Sequence, residues 1–181
     1  MLKKIIRRFL VPRSAISLYY FVKYGAKISP HAEVELSPNL TFGPGCTVSS
    51  FTKMKASDGP LTIGARCGFA TGCFISPGAK GIVIGDNLVC GPNSVITSSN
   101  YIYEKLDVHP EDQGHSSKGV RIGRNVWLGA GTIVLDGSVL GDNTIVVANS
   151  LINRRYPPNV ILQGNPAKII MRRDGGHDRG E

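Results

Sequence analysis

The 181-residue sequence has few aromatic residues, only four histidines and four cysteines, and no long apolar run. Aromatic residues make up 7% of the chain, which fits a narrow core built from aliphatic side chains. The apolar pieces near the N-terminus are too short and too interrupted to span a bilayer, and no uninterrupted apolar region with a small-residue cleavage site marks a signal peptide. With so few histidines, a zinc site made of three converging imidazoles is not expected.

A six-residue repeat dominates what the sequence does contain. From residue 122 onward an apolar residue leads every block, at Ile122, Leu128, Val134, Leu140, Val146 and Ile152. The fifth position of each block is small, at Val126, Thr132, Ser138, Thr144 and Ser150. This period fits neither a helix nor a simple strand and indicates a solenoid. Three blocks make a triangular coil whose strands pair in parallel with those of the next coil.

The repeat sets the expected domain organisation. Earlier runs of the count begin at Ile28, Ile63 and Ile84, so we predict an all-β, parallel β-helix domain over residues 28–171. A polar loop over residues 50–60 is expected to interrupt the first run, and the count lapses in a longer excursion over residues 97–121. Residues 172–181 are Gly-rich and charged and are expected to form a disordered tail.

The four cysteines fall in register with the repeat. Cys67 and Cys73 occupy fifth positions, whereas Cys46 and Cys90 are expected to lead blocks themselves. All four are therefore predicted to be buried free thiols that fill the core. Free thiols favour a reducing compartment, and we expect a cytoplasmic protein.

Positive charge is concentrated before the repeat begins. No acidic residue precedes Glu33, and most of the basic residues there lie in residues 1–27. We predict that this segment forms two short amphipathic helices divided near Pro12. They can cap the open end of the solenoid, or residues 1–24 can rest on anionic lipid at the inner face of the membrane. The two interpretations are compatible.

Three sequence segments resemble the hexapeptide-repeat acyltransferases, in particular the galactoside, maltose and polysaccharide O-acetyltransferases. They are IGRNVWLG at 122–129, IGDN at 84–87 and GNPAK at 164–168, and the resemblance covers roughly residues 28 to 172. It implies a left-handed parallel β-helix that assembles as a homotrimer, with active sites between subunits that bind acetyl-CoA. No nucleic-acid partner and no metal are expected.

The resemblance also implies where acetyl-CoA binds. The backbone positions that match the pantetheine contacts are Ala130 and Ala148, and those that match the phosphate and adenine contacts are Asn153, Arg154 and Lys168. Cations suit a polyphosphate partner, although Arg154 and Lys168 can equally be solvated surface charges. For the acceptor we single out Thr71 and Trp127. Trp127 can line the groove, enter the core or lie at the trimer interface.

The position that matches the family's catalytic histidine is Tyr101. Tyrosine has a pKa near 10 and is a poor general base at neutral pH. His115 returns from the excursion seven residues before Ile122, and we predict that it is the base. An acidic residue of the excursion, at 107, 111 or 112, would orient it. His109 and a purely structural role for the loop histidines are the alternatives. A backbone N–H near the corner after Asn100 would stabilise the oxyanion.

These observations predict an acetyl-CoA-dependent O-acetyltransferase that acts on a sugar, in surface polysaccharide biosynthesis. The missing histidine leaves two other interpretations open. An N-acetyltransferase of a nucleotide-linked amino sugar needs no enzymic base once its amine is positioned. A catalytically inactive trimeric scaffold would bind acetyl-CoA without turnover, or would not bind it.

Overall fold

The structure, a computed structural model, describes residues 11–173. One α-helix, α1 (Arg13–Tyr24), precedes 22 short strands in this range. Twenty of the strands form three sheets, and each sheet is one face of a triangular prism. The other two form a hairpin that projects from the prism. A 3-10 helix, Pro110–Asp112, lies in the loop of the hairpin.

Each turn of the prism contributes one strand to each face. Face 1 contains β1 (Lys27–Ile28), β4 (Thr47–Val48), β7 (Gly68–Phe69), β10 (Val89–Cys90), β15 (Trp127–Leu128), β18 (Ile145–Val146), β21 (Val160–Gly164) and β22 (Ala167–Arg172). Face 2 contains β2 (Glu33–Val34), β5 (Lys53–Met54), β8 (Phe74–Ser76), β11 (Val95–Thr97), β16 (Ile133–Val134) and β19 (Leu151–Ile152). Face 3 contains β3 (Leu40–Phe42), β6 (Leu61–Ile63), β9 (Ile82–Ile84), β14 (Val120–Ile122), β17 (Val139–Leu140) and β20 (Arg155–Tyr156).

Successive coils stack in register, so that residues of the same block position lie above one another. Leu128, for example, pairs with Cys90 on one side and with Val146 on the other. Among the strands of the three faces that the structure describes, only β22 runs antiparallel, against β21, where the chain leaves the coil. This topology confirms the predicted left-handed parallel β-helix. We call the edge between faces 1 and 2 the first corner, that between faces 2 and 3 the second, and that between faces 3 and 1 the third.

The fifth position of each block fills a corner from the inside, as predicted. Its side chains are at most 1% exposed from Val126 to Ser150. The hydroxyl of Thr132 donates to Gly129 O at 2.8 Å, and that of Thr144 donates to Gly141 O at 2.7 Å. Small polar residues suit these positions because their hydroxyls satisfy turn carbonyls inside the coil.

The loop predicted over residues 50–60 is only partly a loop. Strand β5 lies within it, and Thr52, Met54 and Ala56 are fully buried. The six-residue count therefore continues from Val48 to Met54. The sequence did not show this block because polar residues at the exposed positions of the strand separate its buried residues.

All four cysteines are free and buried, as predicted, but one has a different block position. Val48 leads its block, and Cys46 stands two residues earlier at a corner, like Cys67 before Phe69. The Cys73 and Cys90 sulfurs lie 3.8 Å apart between adjacent coils. A hydrogen bond with Cys73 and burial together raise the pKa of the Cys90 thiol well above its usual value.

Asparagines hold the third corner. Their side chains form a ladder in which each amide donates to the next carbonyl oxygen at 2.8–3.1 Å, through Asn87, Asn125, Asn143 and Asn159. Each has a φ between 55° and 61°, a left-handed conformation that asparagine tolerates better than most residues. The ladder explains why Gly-Asp-Asn recurs at this corner.

Helix α1 packs against the first coil. It begins after Pro12 and ends at Gly25, whose φ of 67° closes a left-handed C-cap. Tyr20 is fully buried, its ring lies 5.4 Å from that of Phe42, and its hydroxyl donates to Glu35 O at 2.8 Å. The opposite side of α1 exposes Leu18, Phe21 and Val22. The other predicted helix falls in residues 1–10, outside the described residues, as does the tail after residue 173.

Candidate active site

The excursion leaves the prism at the second corner and returns through an antiparallel hairpin. Strand β12 (Asn100–Tyr101) pairs with β13 (His115–Ser116). Serines tie its base to the coils: the Ser117 hydroxyl donates to Ser98 O at 2.6 Å, and the Ser98 hydroxyl accepts from Gly78 N at 2.9 Å. The hairpin thus projects from a fixed point between β11 and β14.

The two residues considered for the base position are direct cross-strand partners. Tyr101 pairs with His115, and their ring centroids lie 4.5 Å apart with an interplanar angle of 39°. Because Ile102 N donates to Gly114 O at 3.0 Å, the Tyr101–His115 pair is the non-hydrogen-bonded kind, in which side chains lie closest. Both side chains are exposed. The hairpin therefore presents an imidazole beside the position where the resemblance implies one.

Asp136 anchors the returning strand, and the sequence analysis did not single it out. Its carboxylate accepts from the backbone N–H groups of Lys118 and Gly119, both at 2.8 Å, and from the Asn100 side-chain amide at 3.4 Å. It thus connects the hairpin to the next coil from both strands. An Asp-Gly pair at a corner was visible in the sequence, but nothing in the repeat indicates which distant amides it would bind.

The loop at the tip of the hairpin has its own internal bonds. The side-chain amide of Gln113 donates to Lys105 O and Val108 O, both at 2.8 Å. His109 Nδ1 accepts from Glu111 N at 3.3 Å and caps the 3-10 helix, which is a structural contact. Across residues 11–173, no carboxylate pairs with His115, so the expected acidic orienting residue is not seen; the aromatic contact of His115 there is with the Tyr101 ring.

The positions expected to bind pantetheine lie at the first corner. Ala130 and Ala148 stack there on successive coils, where Asn149 N donates to Ala130 O at 2.8 Å. Thr71 lies on the same corner two coils before Ala130, and all three side chains are exposed. Within the described residues, the amides of Ala130 and Ala148 donate to no backbone carbonyl between coils. The corner thus has two N–H groups, on successive coils, with no backbone acceptor between coils.

The phosphate-contact candidates differ from one another. Arg154 donates from its guanidinium to the Tyr156 hydroxyl at 3.1 Å and to Ala167 O at 3.0 Å, so it is a bonded group and not a free surface charge. Asn153 and Lys168 are exposed at the second corner and on β22. Because Asn153 precedes Arg154 and Lys168 follows Ala167, the bond from Arg154 to Ala167 O brings the three residues to the same part of the structure.

Trp127 is 52% exposed and points outward from face 1, which makes the core interpretation wrong and leaves the groove and the interface. Its neighbours on the same face are Val89 and Ile145. The hairpin projects from the second corner, whereas Ala130 and Ala148 lie at the first, and face 2 separates them. One chain alone does not bring the predicted base and the predicted CoA contacts together.

The comparisons with known proteins agree with this architecture. Residues 119–154 match the family model described as bacterial transferase hexapeptide (six repeats). Over these residues the chain is similar to the hexapeptide-repeat transferases. Within the described residues, no helix is long and apolar enough to cross a membrane and no three potential metal ligands cluster.

Individual relatives are similar to the chain to different extents. A putative lipopolysaccharide biosynthesis O-acetyl transferase of Escherichia coli is 25% identical over 92% of this chain and 86% of its own length. The galactoside O-acetyltransferase of Escherichia coli is 31% identical over 49% of this chain and 43% of its own length. The chain spans under half the length of several curated relatives that it matches at this identity or higher.

Among solved structures, the N-acyltransferase AntD from Bacillus cereus, in complex with dTDP and 3-hydroxybutyryl-CoA, has a TM-score of 0.70. It is 18% identical, and the match covers 82% of this chain and 80% of AntD. At this identity the likeness shows that the two proteins share a fold.

Proposed function

We propose that the protein is a CoA-dependent acyltransferase that moves an acetyl group from acetyl-CoA to a sugar hydroxyl in surface polysaccharide biosynthesis. The observation that carries the proposal is the hairpin, which holds the His115 imidazole against Tyr101 at the position where relatives of this family are expected to place a base. The match to an O-acetyl transferase of lipopolysaccharide biosynthesis over most of the chain supports the choice of acceptor.

The proposed reaction is a direct transfer. The acceptor oxygen attacks the thioester carbonyl while His115 takes the hydroxyl proton, because an imidazole titrates near neutral pH. The tetrahedral intermediate then collapses: the C–S bond breaks, the C–O bond remains, and the proton passes from the imidazolium to the CoA sulfur. The Tyr101 amide points away from β13 in a non-hydrogen-bonded pair, so it can donate to the oxyanion.

Acetyl-CoA supplies the activated acetyl group, and this chain supplies its contacts. The exposed amides of Ala130 and Ala148 would bind the pantetheine arm along the first corner. Asn153, Arg154 and Lys168 would hold the phosphates and adenine, with Arg154 already positioned by Tyr156. Thr71 and Trp127 would contact the acceptor.

The separation of these groups on one chain supports a homotrimer. If three prisms pack side by side, the second corner of one copy can face the first corner of its neighbour, and each site then takes its base from one copy and its CoA contacts from another. Exposed apolar residues on the hairpin tip and on face 1, at Tyr103, Leu106, Val89 and Trp127, suit such contacts. Light scattering should give three times the 19.4 kDa mass of one chain.

The test is a thiol-release assay with acetyl-CoA across candidate sugars. His115→Ala should lower turnover by roughly 10²–10⁴ with little change in CoA affinity, whereas His31→Ala, an exposed histidine of the first coil, should change neither. Tyr101→Phe keeps the ring contact and should retain most of the rate. An unchanged rate in His115→Ala would remove this residue from the mechanism, and a large loss in Tyr101→Phe would assign the phenol a role.

One observation favours a second candidate function. No carboxylate within residues 11–173 pairs with His115, and an amine acceptor can attack without a strong enzymic base once it is positioned. An N-acetyltransferase of a nucleotide-linked amino sugar would therefore turn over amino sugars in the same assay, and its rate would survive His115→Ala.

We also propose that helix α1 contacts anionic lipid on the cytoplasmic face of a membrane. Leu18, Phe21 and Val22 are 63%, 52% and 77% exposed, and Leu18 and Phe21 line an open cavity beside β1. Lys23 follows them in the last turn, which gives the apolar patch a basic border.

A further inference from the structure

A basic groove runs along face 3 below the hairpin. It encloses about 360 Å³, and its lining includes four cationic side chains and no acidic one. Two of the cations come from corners, two from face 3 itself, and valines form the floor between them: Lys80, Lys118, Arg121, Arg155, Val83 and Val139. These residues come from successive coils and meet because the coils stack.

The stacking of β14, β17 and β20 brings two arginines to the same part of the groove. Arg121 pairs with Val139, and Val139 pairs with Arg155. Two strand spacings, about 10 Å, therefore separate the backbones of Arg121 and Arg155. The two guanidinium groups can reach toward each other over Val139 from opposite sides. Guanidinium groups donate two parallel hydrogen bonds to phosphate oxygens, so this spacing suits a ligand with more than one phosphate.

These cations lack anionic partners within the part of the chain that the structure describes. The ion pairs there are Lys53–Glu33 and Arg124–Asp142, and neither involves the groove. Asp136, on the adjoining corner, is already bonded to the amides of Lys118, Gly119 and Asn100. Four like charges gathered without an acid repel one another and attract an anion.

The groove opens beside the hairpin. Lys118 lines it and lies two residues after the end of β13. The same Asp136 binds both the Lys118 amide and the Asn100 side chain next to Tyr101. A phosphate group in the groove would therefore place whatever is attached to it near the Tyr101–His115 pair. The expected pantetheine contacts at Ala130 and Ala148 lie across face 2 on the first corner. The expected phosphate contact Arg154 directly precedes Arg155 of the groove, so CoA is the competing ligand that a binding test must separate.

We propose that this groove binds the diphosphate of the acceptor, which makes the substrate a diphosphate-linked sugar. The inference rests on the proposed transferase function for its site, but the groove's affinity for diphosphate can be measured without turnover. A sugar nucleotide and a lipid-linked sugar both carry this group, and the chemistry of recognition is the same for both.

Calorimetric titration tests the proposal with four probes: inorganic pyrophosphate, UDP, farnesyl diphosphate and CoA. The variants are Arg121→Ala and Arg155→Ala. Arg66→Ala is the control, because it removes the same charge from an exposed corner outside the groove. Circular dichroism melting establishes that each variant is folded.

The expected result is that each groove variant weakens binding of the diphosphate probes by about 10-fold or more, while CoA affinity stays within about 2-fold and Arg66→Ala changes neither. The tighter of UDP and farnesyl diphosphate identifies the carrier. Equal losses for CoA and the diphosphate probes would assign the groove to CoA and overturn the proposal. Equal losses in Arg66→Ala, or no diphosphate binding by the wild-type protein, would also overturn it. Failure of the proposed transferase function would appear separately, as absence of CoA binding and thioester cleavage.

Discussion

Removing the carboxylate of Asp136 should release the hairpin that carries Tyr101 and His115 from the β-helix. In Asp136→Ala, the backbone N–H groups of Lys118 and Gly119 lose the acceptor that now lies 2.8 Å from each. A hydrogen bond to a charged acceptor contributes about 1.5–3 kcal/mol, and the lower value applies because the Lys118 amide is exposed. The two bonds together then contribute about 3 kcal/mol, so the open population of the hairpin should rise about 100-fold.

Hydrogen exchange measures this directly at the amide of Ile102, which donates to Gly114 O across the hairpin. Its protection should fall about 100-fold in Asp136→Ala, and amides of the central coils, such as those of β15, should not change. Asp136→Asn keeps one acceptor oxygen and should give an intermediate loss. The proposed transferase activity should fall together with the protection, because the Tyr101–His115 pair loses its fixed position.

Asp142→Ala is the matched control. Asp142 also accepts a backbone N–H at a corner, from Arg124 at 2.8 Å, but it lies at the third corner, away from the hairpin. Unchanged Ile102 protection in Asp136→Ala would refute the anchoring role. So would an equal loss in Asp142→Ala, since it would mean that any missing corner carboxylate loosens the whole coil.

Three further predictions concern the core and the helix. Burial raises the pKa of Tyr20 to about 12 from its ordinary 10.0. The linked contribution to the free energy of unfolding, about 3 kcal/mol, is complete below pH 10 and is lost as pH rises through 12. Denaturant titrations at increasing pH should show this fall in the free energy of unfolding, and Tyr20→Phe should remove it. Because the four cysteines are free and buried, a thiol reagent should label none in the native protein and four after denaturation, and two or fewer in the denatured protein would indicate a disulfide. Leu18→Ser with Val22→Ser should reduce binding to vesicles containing anionic lipid by about 10-fold or more without changing the oligomeric mass, and retained binding would contradict the proposed lipid contact.

The regular part of the fold could be predicted because every block places the same kinds of residue in the core. An apolar residue and a small fifth residue face the core in every coil, so a count of six locates strands and corners and places Cys67, Cys73 and Cys90 correctly. The count of six did not identify the block at Met54, because a single large apolar residue among polar and small neighbours does not make a recognisable repeat. It misplaced Cys46 because β3 turns two residues inward, Leu40 and Phe42, which shifts the register.

The site was less predictable for a different reason. Its contacts join segments whose sequence has no period: Tyr101 meets His115 across a hairpin whose register no pattern sets, and Asp136 binds amides from the previous coil. The basic groove is likewise assembled by stacking, since Lys80 and Arg155 are neighbours only across coils. The sequence could indicate the chemistry available in the excursion, but the tertiary structure decides which groups meet.

A crystal structure of the protein with CoA tests the account most directly. We expect a trimer in which the CoA sulfur lies within hydrogen-bond reach of the Tyr101–His115 hairpin of one subunit. The pantetheine arm should run along Ala130 and Ala148 of the adjoining subunit, with the face 3 groove left free for the acceptor. CoA bound away from the hairpin, or a protein that binds no CoA at saturating concentration, would contradict the proposed transferase.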